Sequence, residues 1–132
     1  MIKSGLANWV DDLMVLDAYR TRDNLRRTTA LVRGKAVAEH QALLEMERPF
    51  ERLLATPDLT RESHVSSVDV STEGIAFVFV TTTERAGSAP PVVRRWRFTI
   101  HYALVAPQDE AEILANPVGI NISHFERAVD NA

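Results

Sequence analysis

Apolar positions recur at helical spacing along the first half of the chain and at a spacing of two along the second half. Leu6, Trp9, Val10, Leu13, Met14 and Leu16, followed by Leu25, Leu31 and Val32, predict one long amphipathic helix that stops at Gly34. Its middle, from Arg20 to Thr29, is polar on nearly every side, so this part either projects from the body or bends. Val37, Leu43, Leu44 and Met46 predict a second helix from Lys35 to about Glu47, and Pro49 restarts a short one through Phe50, Leu53 and Leu54. Pro57 closes the helical half. These stripes read as packing surfaces and not as a cofactor site, because amphipathic helices bury such stripes in a core.

Beyond Pro57 the period changes. Val65, Val68 and Val70 mark a first strand, Ser71-Thr72-Glu73-Gly74 supplies turn chemistry, and Ile75 to Thr83 forms the second arm of a hairpin. The loop Ala86 to Pro91 leads to a third strand with strict alternation. There Trp96, Phe98, Ile100, Tyr102 and Leu104 share one side, and Arg95, Arg97, Thr99, His101 and Ala103 the other. Pro107 to Ala115 reads as a short helical turn or acidic crossing, and Val118, Ile120 and Ile122 after Pro117 as a final strand. Helices first and strands second predict an α+β domain, with N-terminal helices (about 6–56) packed on a curved four-stranded antiparallel sheet (about 63–127). The nuclear-transport-factor-like cone has this arrangement; other α+β sandwiches share its order.

A chain of 132 residues holds one such domain, 1–132, and is long enough to bury a core without disulfides. Fifteen basic against eighteen acidic side chains give a net charge of -3, which lacks the positive field of non-specific nucleic-acid binders, so no nucleic-acid partner is expected. The absence of cysteine excludes thiolate metal sites and cysteine nucleophiles. No run of eighteen apolar residues is present.

The cone-shaped fold hosts enzymes and binding modules alike, so function has to be argued from sites. An isomerase or dehydratase of this shape would need a buried acid or histidine facing a polar partner. Asp17, His40, and His101 with Tyr102 are the candidates, and their positions do not converge. His101 falls on the polar side of its strand, and His40 reads as a packing residue. The four histidines show no i,i+4 ligand pair, so no metal is expected, and the chain carries no phosphate-binding or dinucleotide fingerprint, so no cofactor is expected. Arg94, Arg95 and Arg97, interleaved with Trp96 and Phe98, resemble a single-strand binding platform in composition only. Alternation puts the rings opposite Arg95 and Arg97, so the cations read as a solvated strand face that resists edge pairing.

Asn116-Pro117-Val118-Gly119 is a tight entry into a strand: proline fixes its own backbone, extends the residue before it, and glycine permits a left-handed turn. The run from Asn116 to Phe125 resembles the ending of the type IV secretion inner-membrane assembly family, which comprises the eighth VirB protein and the TrbF-like proteins. The stretches Gly74 to Phe79, Thr81 to Arg85 and Arg95 to Tyr102 are similar to it as well, so that the likeness covers about Val65 to Glu126. The helical half matches in outline; where the family carries an arginine-glutamate pair ahead of a tyrosine, this chain has Asp17-Ala18-Tyr19-Arg20.

The resemblance implies the same cone-shaped fold and a non-enzymatic scaffold, without catalytic residues, that nucleates a conjugation channel. It implies a bitopic protein anchored to the bacterial inner membrane by one transmembrane helix absent from this chain, with the present domain in the periplasm. It implies a weak homodimer, with Glu110 and the first-helix residues near Trp9 as contacts, and other channel subunits as partners. Tyr19, Thr99 and Phe125 correspond to partner or groove contacts, while Asn116, Pro117 and Gly119 serve as a structural corner. A small-molecule enzyme or a ligand-binding domain of the same cone is the alternative.

Overall fold

The alternating half of the chain forms one antiparallel sheet whose strand order is its sequence order: β1 (Thr60–Thr72), β2 (Ile75–Arg85), β3 (Val92–Leu104) and β4 (Ile120–Val129). In this computed structural model, which describes residues 1–131, four helices precede the sheet: α1 (Ile2–Met14), α2 (Thr21–Leu31), α3 (Lys35–Glu47) and α4 (Pro49–Ala55). A fifth, α5 (Glu110–Ala115), crosses between β3 and β4. The result is the expected nuclear-transport-factor-like α+β fold, helices packed against one face of a four-stranded antiparallel sheet.

The period-two pattern decides which strand residues meet the helices. Ala76, Val78 and Val80 of β2, Phe98 and Ile100 of β3, and Ile120, Ile122 and Phe125 of β4 are buried, as are Leu6, Trp9, Val10, Leu13 and Met14 of α1. Trp9 sits edge-on to Phe98 and Phe125, with ring centroids 6.4 and 5.1 Å apart, and donates its indole N–H to the carbonyl of Thr28 on α2 at 3.1 Å. Ring burial and a satisfied donor make it the joint between α1, α2 and the sheet.

The long helix expected over 6–32 is two helices. Apolar spacing continues through Leu16 for a different reason: Val15 has left the helix for extended backbone, and Leu16 exchanges hydrogen bonds with Arg61 of β1 at 3.0 and 2.9 Å. Leu16 belongs to a satellite cluster with Leu53 and Leu59. Asp17 then closes a turn, its carboxylate accepting from the backbone N–H of Tyr19 and Arg20, which is how such short polar side chains compete with a helix. Gly34, expected to stop the long helix, instead takes a positive φ of 56° at the entry to α3.

Two further expectations change. Leu104, placed with the buried row, is 51% exposed at the end of β3. The arginines of β3 do not guard an edge, since β3 is paired on both sides by β2 and β4. The true edges differ from each other. Along β4, Val32 bridges Ile122, Arg33 donates to the Ile122 carbonyl at 2.8 Å, and the Glu39 carboxylate accepts from the Phe125 N–H at 3.1 Å. Along the outer edge of β1, the rung to Leu16 is the one bridge made among the described residues. Among the described residues no helix is long and apolar enough to cross a membrane.

Candidate functional site

The Asn-Pro-x-Gly segment works as a corner built from its own polar groups. The Gly119 N–H donates to the Asn116 carbonyl at 3.0 Å, closing a four-residue turn. The Asn116 side-chain amide then brackets one residue of the next strand, donating to the Ile120 carbonyl at 2.7 Å and accepting from its N–H at 3.1 Å. Gly119 has φ 77°, and a Cβ there would stand 2.0 Å from the Val105 carbonyl oxygen, to which no side chain can adapt.

This corner forms one wall of a cleft of about 480 Å³; the other walls are α1, from Met1 to Asp12, and Arg27 and Leu31 of α2. Its polar side is an ion pair between Asp12 and Arg27 at 3.1 Å, with Asn24 also accepting from the guanidinium. Trp9, Asn116 and Pro117 line the cleft together. At its rim α5 opens with Glu110 behind an Asp109 cap, accepting from the Glu112 N–H, and buries none of its residues. Ile113 and Leu114 are 52% and 78% exposed.

A second polar assembly lies where the strand ends approach α3 and α4. Glu47 accepts from Arg61 at 3.1 Å and Arg127 at 2.9 Å, and Glu84 pairs with Arg52 at 2.8 Å and Arg61 at 3.8 Å. Arg61 is buried and also donates to the Met14 carbonyl at 2.5 Å, at the end of α1. Arg127 stacks 4.2 Å over Trp96, whose indole N–H donates to the Thr82 hydroxyl. Burial alone would raise the Glu47 carboxyl, yet the two guanidiniums hold it below the ordinary glutamate value, while desolvation lowers the pKa of Arg61.

The remaining sequence candidates are dispersed. Tyr19 lies in the α1–α2 connection and not on the first helix, and is 93% exposed. Thr99 is on the outer sheet face, in register with Phe77 and Glu126, while Phe125 is in the core against Trp9. Tyr19, Thr99 and Phe125 therefore share no groove. Trp9, expected at a dimer contact, is 2% exposed, its ring held in the core between Phe98 and Phe125.

The acid-base candidates stay apart as well. Asp17 is occupied in its turn, and His40, buried beside the Thr28 hydroxyl at 2.9 Å, has its pKa lowered by desolvation. His101 faces outward, 5.0 Å from the His124 ring, and His124 contacts Glu39 at 2.6 Å. Sequence reasoning missed the Glu47–Arg61–Arg127 assembly; its one sequence signal is two arginines standing at inward positions of otherwise alternating strands.

Comparison with known proteins agrees with this architecture. The model of the VirB8 protein family matches residues 1–130. A TrwG component of the type IV secretion system from Bartonella birtlesii superposes with a TM-score of 0.83 at 21% identity, covering 98% of this chain and 90% of that one. The Agrobacterium tumefaciens VirB8 protein superposes with a TM-score of 0.84 at 15% identity, with the same coverage. The periplasmic domain of DotI gives 0.67 at 14% identity over 95% of this chain and 94% of that one. No curated protein matches in sequence.

Proposed function

The chain belongs to the VirB8 protein family and is a type IV secretion component, and from that premise we propose that it is a non-enzymatic scaffold and assembly factor of a conjugation channel. In this reading the domain stands in the periplasm, held to the inner membrane by a transmembrane helix of the full-length protein. It self-associates weakly through the α1–α5 cleft and contacts other channel subunits through the outer sheet face around Thr99. Confinement in a membrane raises effective concentration, so a weak solution dimer suffices.

The observation that carries this reading is α5. A helix that buries nothing in its own domain, yet points Ile113 and Leu114 into solvent beside an apolar-walled cleft, has the composition of an interface waiting for a partner. Glu110 stands at its first turn. An isomerase, dehydratase or ligand-binding role would draw on the interior near β2 and β3. There Glu47, Glu84, Arg52 and Arg61 are paired with one another, and Asp17, His40 and His101 do not converge. We assign no metal, cofactor or nucleic-acid partner.

Sedimentation of the purified domain tests the dimer. Glu110→Lys and Leu114→Asp should each weaken self-association at least tenfold while the thermal midpoint stays within a few degrees, because neither side chain packs in the domain. An unchanged monomer–dimer equilibrium in both variants removes α5 from the contact.

A further inference from the structure

The polar stretch from Arg20 to Lys35 concentrates the positive charge of the chain. Arg20, Arg22, Arg26, Arg27, Arg33 and Lys35 stand there against one acid, Asp23, so this stretch carries +5 while the whole chain carries -3. Such an asymmetry is an electrostatic property of one surface and not of the fold. All six cations are exposed, whereas Thr21, Asn24, Leu25 and Thr28 turn the opposite side of α2 inward. Arg22, Arg26 and Thr29, four and three residues apart, share the outward side of the helix. Arg33 extends the row, its guanidinium donating to the Ala30 carbonyl at 2.7 Å.

The acids within reach leave this side positive. Asp12 is taken by Arg27 at 3.1 Å, and the Asp17 carboxylate by the backbone N–H groups of Tyr19 and Arg20. Asp23 meets Arg26 only at 3.9 Å with both side chains largely in water, a pair that holds neither group firmly. Arg22 and Lys35 make no ion pair among the described residues. At the start of the row Tyr19 is almost fully exposed, between the core it does not enter and the arginines at 20 and 22. An aromatic ring with a hydroxyl tip is the residue type that settles at the headgroup level of a bilayer. The outward side of a helix is convex and seats no peptide, and a single ring supplies no run of stacking platforms for single-stranded nucleic acid. A planar array of anionic headgroups matches it in both shape and charge.

We propose that the outward side of α2, with Tyr19 at its end, docks on anionic phospholipid headgroups, so that α2 lies along the membrane surface. The inference rests on the membrane-anchored domain proposed above: anchoring holds the headgroups at high effective concentration beside α2, and even a weak contact then orients a tethered domain. The α1–α5 cleft uses Arg27 and Leu31 of α2 and neither Arg22 nor Arg26, so lipid docking and the dimer stand or fall separately.

Flotation of the purified domain with vesicles tests the proposal at low ionic strength, where surface charges are least screened. At millimolar lipid the domain should float with phosphatidylcholine vesicles containing phosphatidylglycerol, and should not float with phosphatidylcholine alone. Arg22→Glu combined with Arg26→Glu should reduce binding by roughly tenfold or more, while the thermal midpoint and the monomer–dimer equilibrium are retained. The lysine pair, Arg22→Lys with Arg26→Lys, should keep binding, and Tyr19→Ser should lower it. The proposal is overturned if the domain does not float with the anionic vesicles, floats equally with the neutral ones, or binds undiminished as the double glutamate variant. A single-stranded oligonucleotide that strips the domain from the vesicles at equal phosphate concentration would assign the face to nucleic acid and overturn it too.

Discussion

Gly119 and Arg48 share a left-handed backbone and differ in everything around it. At Gly119, φ is 77° and the Val105 carbonyl lies where a Cβ would go. Gly119→Ala should therefore cost about 2 kcal/mol or more, from backbone strain and from the displaced Val105–Gly119 hydrogen bond, read as a lower urea midpoint. Arg48, the one non-glycine residue with positive φ among those described, joins α3 to Pro49 at φ 49°, and its side chain makes only an exposed pair with Glu51. Arg48→Gly should raise stability by about 0.5 to 1 kcal/mol, and no gain in the urea midpoint would show that the arginine is held there by something other than geometry. The first of these positions was legible in the sequence, because glycine after Asn-Pro-x announces a turn. The second was not: nothing about an arginine before proline suggests a left-handed residue, a conformation imposed by the need to turn from one helix directly into the next.

Among elements, Glu47 does what no single strand or helix contact does: from the last residue of α3 it holds Arg61 of β1 and Arg127 of β4. Glu47→Ala leaves two guanidiniums facing each other with Arg61 buried, and should destabilise the domain by about 3 to 5 kcal/mol, the range for breaking one side of a buried ion pair. Glu47→Gln, which keeps an acceptor, should lie between; equal stability of all three proteins in urea would remove the bridge from the fold's support. Strand phase was readable because burial is one-sided, and the row from Trp96 to Ile100 meets the core as its alternation foretold. The break of the first helix was not readable, since a helix stripe and a single strand rung both ask for an apolar residue at Leu16. The ion pairs were hidden for a related reason: an inward arginine looks like a surface one until its partner, 80 residues away in the case of Arg127, is known.

For the whole molecule the titrating groups set a slope in pH. His40 is buried with a lowered pKa, so the unfolded chain binds more protons below its own value of about 6.5, and stability falls as pH drops from there. His40→Leu should flatten the stability curve between pH 7 and 5, while a slope unchanged in the variant would assign it elsewhere. Glu47, lowered by its guanidiniums, contributes stability that is present above the unfolded value of about 4.3 and lost as pH falls through its folded value. Asp11, raised by burial, acts in the opposite sense and gains stability on protonation. One more property follows from the seat of Trp9 between Phe98 and Phe125. During synthesis α1 leaves the ribosome before the sheet does, and the rings that cover Trp9 arrive roughly a hundred residues later, a wait of several seconds at ordinary elongation rates. For that interval a nascent amphipathic helix has only its neighbours to shelter it, so its apolar stripe stays open to solvent until the strands follow.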